Sequence, residues 1–174
     1  MYFPIILGTA REGRFSEKVA KYMIKQTKKA GYKTQLVDVR DFRIPATDDT
    51  GASKEAKKLK RIVERADGLI IVAPEYNHSY PGELKMMLDL LYQEYKSKPV
   101  GICGVSRGSF AGARMIAKLH DFCLCVGMIP IQSSLYFGGV RELFEDSGKI
   151  KDEKYHSRVE RFLSELEGMA KKLK

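Results

Sequence analysis

Cysteine is scarce in this chain of 174 residues, and the three present exclude two ways of holding a fold together. Cys103, Cys123 and Cys125 make an odd number, and Cys123 and Cys125 stand two apart in a helical pattern, which turns them to different sides. Neither a disulfide framework nor a metal site follows from them. They read as small buried hydrophobes in a reducing compartment. His78, His120 and His156 are far apart and in no Cys/His or Glu/His spacing that suggests a metal, so none is expected. No apolar run approaches the roughly 20 residues of a membrane span. Residues 1–8 are too short for a secretory signal and carry no basic stretch. Repeats, linkers and low-complexity tracts are absent as well. The expectation is a cytoplasmic protein with no membrane segment.

What is present fits one globular domain over residues 1–174. A chain of this length buries about 70% of the surface it exposes when unfolded, so its core needs no covalent staples. The formal charge of +9, from 31 basic against 22 acidic side chains, raises the question of a nucleic-acid partner. The basic residues are scattered, however. Lys21, Lys25, Lys28 and Lys29 line one helix, Lys54, Lys57, Lys58, Lys60 and Arg61 another, and Lys171, Lys172 and Lys174 end the chain. Solvated helix faces account for them, with steering of anionic ligands as a consequence. Nucleic acid is not the expected partner.

Apolar runs and helical periodicities alternate along the chain. Residues 3–7, 34–39, 68–73, 99–105 and 128–131 read as strands. Val19, Ala20, Met23, Ile24 and Thr27 mark the first helix, with Ser16 as its candidate N-cap; Ala56, Leu59, Ile62 and Val63 mark the second, with Ser53 before it. Leu84, Met87, Leu88 and Leu91 form a stripe on the third, Ile116, Leu119 and Leu124 lie on the fourth, and Val159, Phe162, Leu163, Leu166 and Met169 lie on the last. Residues 40–53, with Pro45, Asp48, Asp49 and Gly51, are a long loop, and residues 132–150 have no assigned role. Such alternation implies parallel βαβ units with right-handed crossovers: an α/β, flavodoxin-like doubly wound five-stranded parallel sheet, order 2-1-3-4-5, with helices on both faces. Its switch point lies between the first and third strands, where loops 8–16, 73–82 and 104–112 converge.

The first loop has the chemistry of a phosphate cradle: Thr9 and Ser16 offer hydroxyls, Arg11 or Arg14 a guanidinium fork, and a helix start free N–H groups. It is not a nucleotide-triphosphatase loop, because Arg14-Phe15-Ser16 stands where Lys then Ser/Thr belongs, nor the Gly-x-Gly-x-x-Gly dinucleotide fingerprint. The second loop, Pro74-Glu75-Tyr76-Asn77-His78-Ser79-Tyr80-Pro81-Gly82, is stiffened by proline at both ends and presents a ring, an amide and backbone N–H groups. It suits a flat heteroaromatic ligand.

Three blocks carry a resemblance. Gly8-Thr9-x-Arg11, then Pro74-Glu75-Tyr76-Asn77-His78-Ser79-x-Pro81-Gly82-x-Leu84-Lys85-x-x-Leu88-Asp89, and Ser106-x-Gly108-x-x-x-Gly112-x-Arg114 resemble the signature blocks of the NAD(P)H-dependent FMN reductase family, which includes quinone, azo-dye and chromate reductases. The resemblance implies FMN as cofactor, NADPH or NADH as co-substrate, and hydride transfer through the flavin to a small acceptor: a flavin, quinone, azo compound or metal oxyanion. It implies that Thr9, Arg11 and Ser16 hold the phosphate, that Pro74, Glu75, Tyr76 and Asn77 line the ring, and that Ser106 and Gly108 touch it from the third loop. No side chain needs to be a nucleophile, since the flavin carries the chemistry; His78 is a candidate proton donor or a structural residue. Residue 86 is Met where many members have Asn, and Arg14-Phe15 replaces smaller residues before Ser16. The resemblance further implies a homodimer or homotetramer, with Met86 and Leu90 expected to meet a neighbouring chain. Arg40, Arg43, Lys85, Arg107 and Arg114 all offer themselves to a 2′-phosphate. The alternative is a flavodoxin-type electron carrier, which direct NAD(P)H oxidation would distinguish.

Overall fold

The sheet is built where apolar side chains alternate between two buried faces. In the computed structural model, which describes residues 1–42, 45, 46 and 50–174, strand β1 (Ile5–Leu7) turns Ile5 and Leu7 to one side and Ile6 to the other, all three buried. Strands β2 (Leu36–Asp38), β3 (Leu69–Pro74), β4 (Pro99–Val105) and β5 (Ile129–Pro130) join it in the parallel order β2-β1-β3-β4-β5. A strand covered on both faces must be apolar throughout, which is why β3 and β4 read as unbroken runs. Helices α1 (Ser16–Lys29) and α6 (Lys154–Lys172) cover one face. Helices α2 (Lys54–Arg65), α3 (Gly82–Leu88) and α4 (Ala113–Cys125) cover the other. Each fully buried Leu, Ile or Phe in these layers contributes about 1.5–3 kcal/mol.

The expected order holds, and three details differ. A sixth strand, β6 (Leu135–Phe137), lies beside the carboxyl half of β4, while β5 pairs only with its amino half. The fifth sheet position is thus filled by two short segments. Between them the chain is drawn off the sheet at Ser133, whose N–H is accepted by both oxygens of Glu165 on α6, at 3.1 and 3.2 Å. A short helix α5 (Val140–Leu143) follows.

Helix α3 is shorter than its apolar stripe. It ends at Leu88 because Leu90 and Leu91 N–H groups close tight turns onto Met87 and Leu88, and the buried Tyr95 hydroxyl donates to the Leu88 carbonyl at 3.1 Å. Leu90, expected on a flank facing another chain, is instead 8% exposed and packed in the chain's own core. The third difference is at Ser16: it is the first residue of α1 rather than its cap, and Phe15 stands in the cap position without a side-chain bond. Ser53 does cap α2, accepting from the Ala56 N–H at 3.0 Å. Among the described residues, no helix is long and apolar enough to cross a membrane.

Candidate functional site

At the carboxyl ends of β1, β3 and β4 the three loops enclose a cavity of about 710 Å³, within the range of small-molecule sites. Gly8 opens the first loop in a tight space: a Cβ there would lie 2.8 Å from Leu84 Cδ2 and 3.0 Å from Ala73 Cβ, so any larger residue would have to push the Leu84 side chain aside. The loop after it is held from behind by two arginines. The Arg14 guanidinium donates to the Thr9 carbonyl and forks onto the Asp38 carboxylate at the end of β2, while its Nε reaches Glu17 at 3.4 Å. Arg40 donates to the Ala10 carbonyl at 3.1 Å and the Arg11 carbonyl at 2.8 Å.

With three successive carbonyls occupied in this way, the loop keeps its N–H groups. Among the described residues, nothing accepts from the N–H groups of Glu12, Gly13, Arg14, Phe15 and Ser16. The last of these begin a 14-residue helix, whose positive dipole end adds to their pull on an anion. Ser16 Oγ is fully enclosed and has no hydrogen-bond partner. A buried orphan hydroxyl costs about 1–3 kcal/mol, so its presence beside unpaired N–H groups marks a place built for an oxyanion.

The second loop is a two-residue hairpin turn. Tyr76 and Ser79 exchange both backbone hydrogen bonds at 2.9 Å, with Asn77 (φ 49°) and His78 (φ 64°) in the left-handed region between them. The Tyr76 hydroxyl meets Thr9 Oγ1 at 3.0 Å, joining the two loops, and Thr9 Oγ1 also accepts from the Arg11 N–H at 3.3 Å. The Arg11 guanidinium lies 5.9 Å from the Tyr76 ring centroid. The Glu75 carboxylate joins the second loop to the start of α4, accepting from the Arg114 N–H at 3.2 Å and its guanidinium at 3.4 Å. In the third loop Ser106 Oγ accepts from the Gly108 N–H at 3.0 Å, which leaves its own proton free.

The electrostatics follow from these contacts. The bond to Asp38 raises the Arg14 pKa further, against the opposing effect of burial. Burial pushes the Asp38 carboxyl up, but bonds from Arg14 and from the Arg40 N–H outweigh it and hold the carboxyl below its ordinary range. The Cys103 and Cys123 thiols are both pushed up by burial, Cys123 to about 12, so neither is a nucleophile at neutral pH.

Of the expected site residues, Arg11, Arg14, Ser16, Pro74, Glu75, Tyr76, Asn77, Ser106 and Gly108 line the cavity, and Thr9 lies fully buried beneath it. His78 is exposed at the hairpin tip and is not among the lining residues. Among the residues offered to a 2′-phosphate, Arg40 holds carbonyls, Lys85 is paired with Asp89, and Arg114 is paired with Glu75. Arg107 lines the cavity with no hydrogen-bond or ion-pair partner among the described residues, and Arg43 falls outside them. Sequence reasoning missed Asp38 and Arg40 as anchors, although an acidic residue ending a buried strand beside the switch point is a usable signal. It also missed Val140, which lines the cavity from a segment with no motif.

Comparison with known proteins agrees with this geometry. The family model described as NADPH-dependent FMN reductase matches residues 1–142. A quinone reductase of Pseudomonas putida is 28% identical over 156 residues, covering 85% of this chain and 83% of the relative. An NADPH azoreductase of a Bacillus species is 31% identical over 155 residues, covering 84% of each. The solved structure of a flavoenzyme NAD(P)H:(acceptor) oxidoreductase from Paracoccus denitrificans superposes with a TM-score of 0.84 at 26% identity, covering 97% of this chain and 98% of that one.

Proposed function

The chain belongs to the NADPH-dependent FMN reductase family, and from that premise we propose how its residues hold FMN and which acceptors it reduces. It is an FMN-dependent oxidoreductase driven by NAD(P)H, not an electron carrier of the flavodoxin type. The observation that carries the site is the orphaned Ser16 hydroxyl beside five unpaired N–H groups. These groups, with Arg11, receive the phosphate of FMN. Arg14 belongs to the binding set as the residue that positions the loop, since its guanidinium is already engaged by Asp38, Glu17 and Thr9. Thr9 joins the phosphate loop to Tyr76.

The backbone at Pro74, Glu75 and Asn77, with the Tyr76 side chain, bounds the flavin ring on one edge, and Ser106 and Gly108 bound it from the third loop. FMN held by these residues would supply the redox chemistry between the nicotinamide and the acceptor. The chain's residues orient the ring, offer N–H and hydroxyl donors where negative charge develops, and leave one face open. Arg107, on the cavity wall and unpartnered among the described residues, is the residue proposed to read the 2′-phosphate of NADPH. The acceptors proposed are quinones and azo compounds, flat molecules that fit the same open face, as the names of the relatives support.

Residues 1–174 are taken as one domain, a reading supported by two core layers that share a single sheet. Three free cysteines, two of them buried, support a cytoplasmic setting. A homodimer or homotetramer is proposed as the assembly. Its support is a surface groove beside α4 lined by Tyr80, Phe122 and Tyr92, the last 55% exposed; Leu124 of the same helix is 68% exposed. Sedimentation as a monomer at micromolar concentration would overturn that assembly.

The decisive experiment is the visible spectrum after incubation with FMN and desalting, then anaerobic addition of NADPH or NADH followed by a benzoquinone. Retained flavin bands that bleach within seconds and return with the quinone are expected. Retained bands that neither nucleotide bleaches would overturn the direct hydride transfer.

A further inference from the structure

The segment 132–150, which carries no motif, makes a pattern of contacts that converges on the third loop. The Ser106 N–H donates to the Phe137 carbonyl at 3.0 Å, and the Val140 N–H donates back to the Ser106 carbonyl at 3.2 Å, so Ser106 is gripped on both sides of its peptide. Between those two residues lie two glycines with different tasks. Gly138 packs so close to the loop that a Cβ would stand 3.1 Å from the Gly108 carbonyl oxygen and 3.1 Å from Ala111 Cβ. Gly139 takes φ 55°, which lets the chain turn back so that Val140 can reach Ser106.

The grip is itself braced from the helix layer. The Phe137 ring stacks on Tyr155 of α6 with centroids 4.9 Å apart and an interplanar angle of 15°. The Tyr155 hydroxyl donates to the Tyr136 carbonyl at 2.7 Å, and Tyr22 of α1 meets both Phe137 and Phe144 edge-on. Residues 107–110 of the loop are exposed, and besides this grip the loop has, among the described residues, only turn bonds of its own, from the Gly108 N–H to Ser106 Oγ and from the Ala111 N–H to the Gly108 carbonyl, with the Ala113 N–H closing on the Phe110 carbonyl.

We propose that residues 135–140 form a clamp that fixes Ser106–Gly108 against the flavin ring, with Gly138 and Tyr155 as its positioning residues. The proposal rests on the FMN reading of the cavity. Its consequence is specific: loosening the clamp weakens recognition of the ring and leaves recognition of the phosphate intact, because the phosphate loop is anchored separately by Arg14 and Arg40.

The test is titration of FMN and of riboflavin, which lacks the phosphate, by flavin fluorescence quenching, with visible circular dichroism of the bound ring. Gly138→Ala and Tyr155→Phe are expected to raise Kd at least threefold, by the same factor for both ligands, and to alter the flavin dichroism. A Val159→Ala control in the same core layer is expected to lower Tm and leave both Kd values unchanged. Folded Gly138→Ala protein with unaltered Kd and dichroism would overturn the clamp. So would a Val159→Ala protein whose Kd rises as much at equal loss of Tm. Should Gly138→Ala not fold, Tyr155→Phe decides alone by the same criteria. Wild-type protein that takes up neither FMN nor riboflavin would instead overturn the FMN reading, and the clamp with it.

Discussion

Arg14 and Asp38, 24 residues apart in sequence, meet as a two-pronged ion pair at the carboxyl end of β2, and the pair fastens the phosphate loop to the sheet. The Arg14 side chain is 4% exposed, so its permanent charge needs compensation, and Asp38 supplies the larger part of it beside Glu17. Asp38→Asn leaves a buried cation underpaired, which costs about 3 kcal/mol. Urea unfolding of the flavin-free protein is expected to show that loss, and FMN titration at least a tenfold rise in Kd as the loop loosens. Unchanged affinity would mean that the loop holds its shape without the pair.

The same pair sets an acid limit. Asp38 is held below its ordinary pKa by bonds that outweigh its burial, and Glu17 is lowered by its bond to Lys21 with a smaller contribution from Arg14. A carboxyl whose folded pKa is depressed adds stability that is fully present above its unfolded value and is lost as pH falls through the folded one. The unfolded values are about 3.9 and 4.3, so the loss begins near pH 4 and proceeds downward. Tm measured from pH 7 to pH 2.5 is expected to be level above about pH 5 and to fall steeply below 4. In Asp38→Asn the fall should be shallower, with no change of slope above pH 5.

Ser16→Ala separates binding from folding. Removing an orphaned buried hydroxyl leaves no donor or acceptor behind, so the flavin-free variant is expected to be more stable than wild type by about 1 kcal/mol. The FMN Kd is expected to rise about tenfold or more, the loss of one hydrogen bond to a charged group, while riboflavin binds as before. Equal weakening of both ligands would place Ser16 at the ring or at the loop's framework, not at the phosphate.

Much of this was legible in the chain because doubly wound sheets write their burial into sequence. Strands 68–73 and 99–105 read as apolar runs because both faces are covered, and the three loops follow from where those runs stop. The polar anchors were harder to see. Arg14 looked like a cofactor ligand because only the fold shows Asp38 facing it across β1 and β2. Continuing the helical spacing past Leu88 puts Leu90 on a second flank, away from the stripe, since periodicity cannot register a hydroxyl from Tyr95 capping Leu88. Segment 132–150 carries no motif because its hold on the third loop is made of backbone hydrogen bonds and glycine packing, which leave no pattern of side chains, while its buried Leu135, Phe137, Val140, Phe144 and Ile150 are too irregularly spaced for one period.

Arg107→Ala tests nicotinamide choice. Lys85, Arg40 and Arg114 are already engaged, whereas Arg107 has no hydrogen-bond or ion-pair partner among the described residues, so its loss removes a charge available to the substrate and breaks no such bond there. Steady-state kinetics are expected to show KM for NADPH raised about tenfold, with KM for NADH and kcat for both within twofold of wild type. A parallel rise for NADH would assign Arg107 to the pyrophosphate or to loop shape.

His78 occupies the second position of a two-residue turn in which both central residues need positive φ, and Asn77 before it suits that need better than any residue but glycine. A left-handed conformation costs a side chain such as histidine about 1–2 kcal/mol. The His78→Gly variant should therefore be more stable by about 1 kcal/mol, which in a chain of this length raises Tm by about 2–4 °C. The imidazole is exposed and lies outside the cavity lining, so turnover with a quinone acceptor is expected to stay within twofold and its pH profile to keep its shape. A tenfold fall in kcat would instead make His78 the proton donor, and would require the hairpin tip to fold inward over the acceptor during turnover.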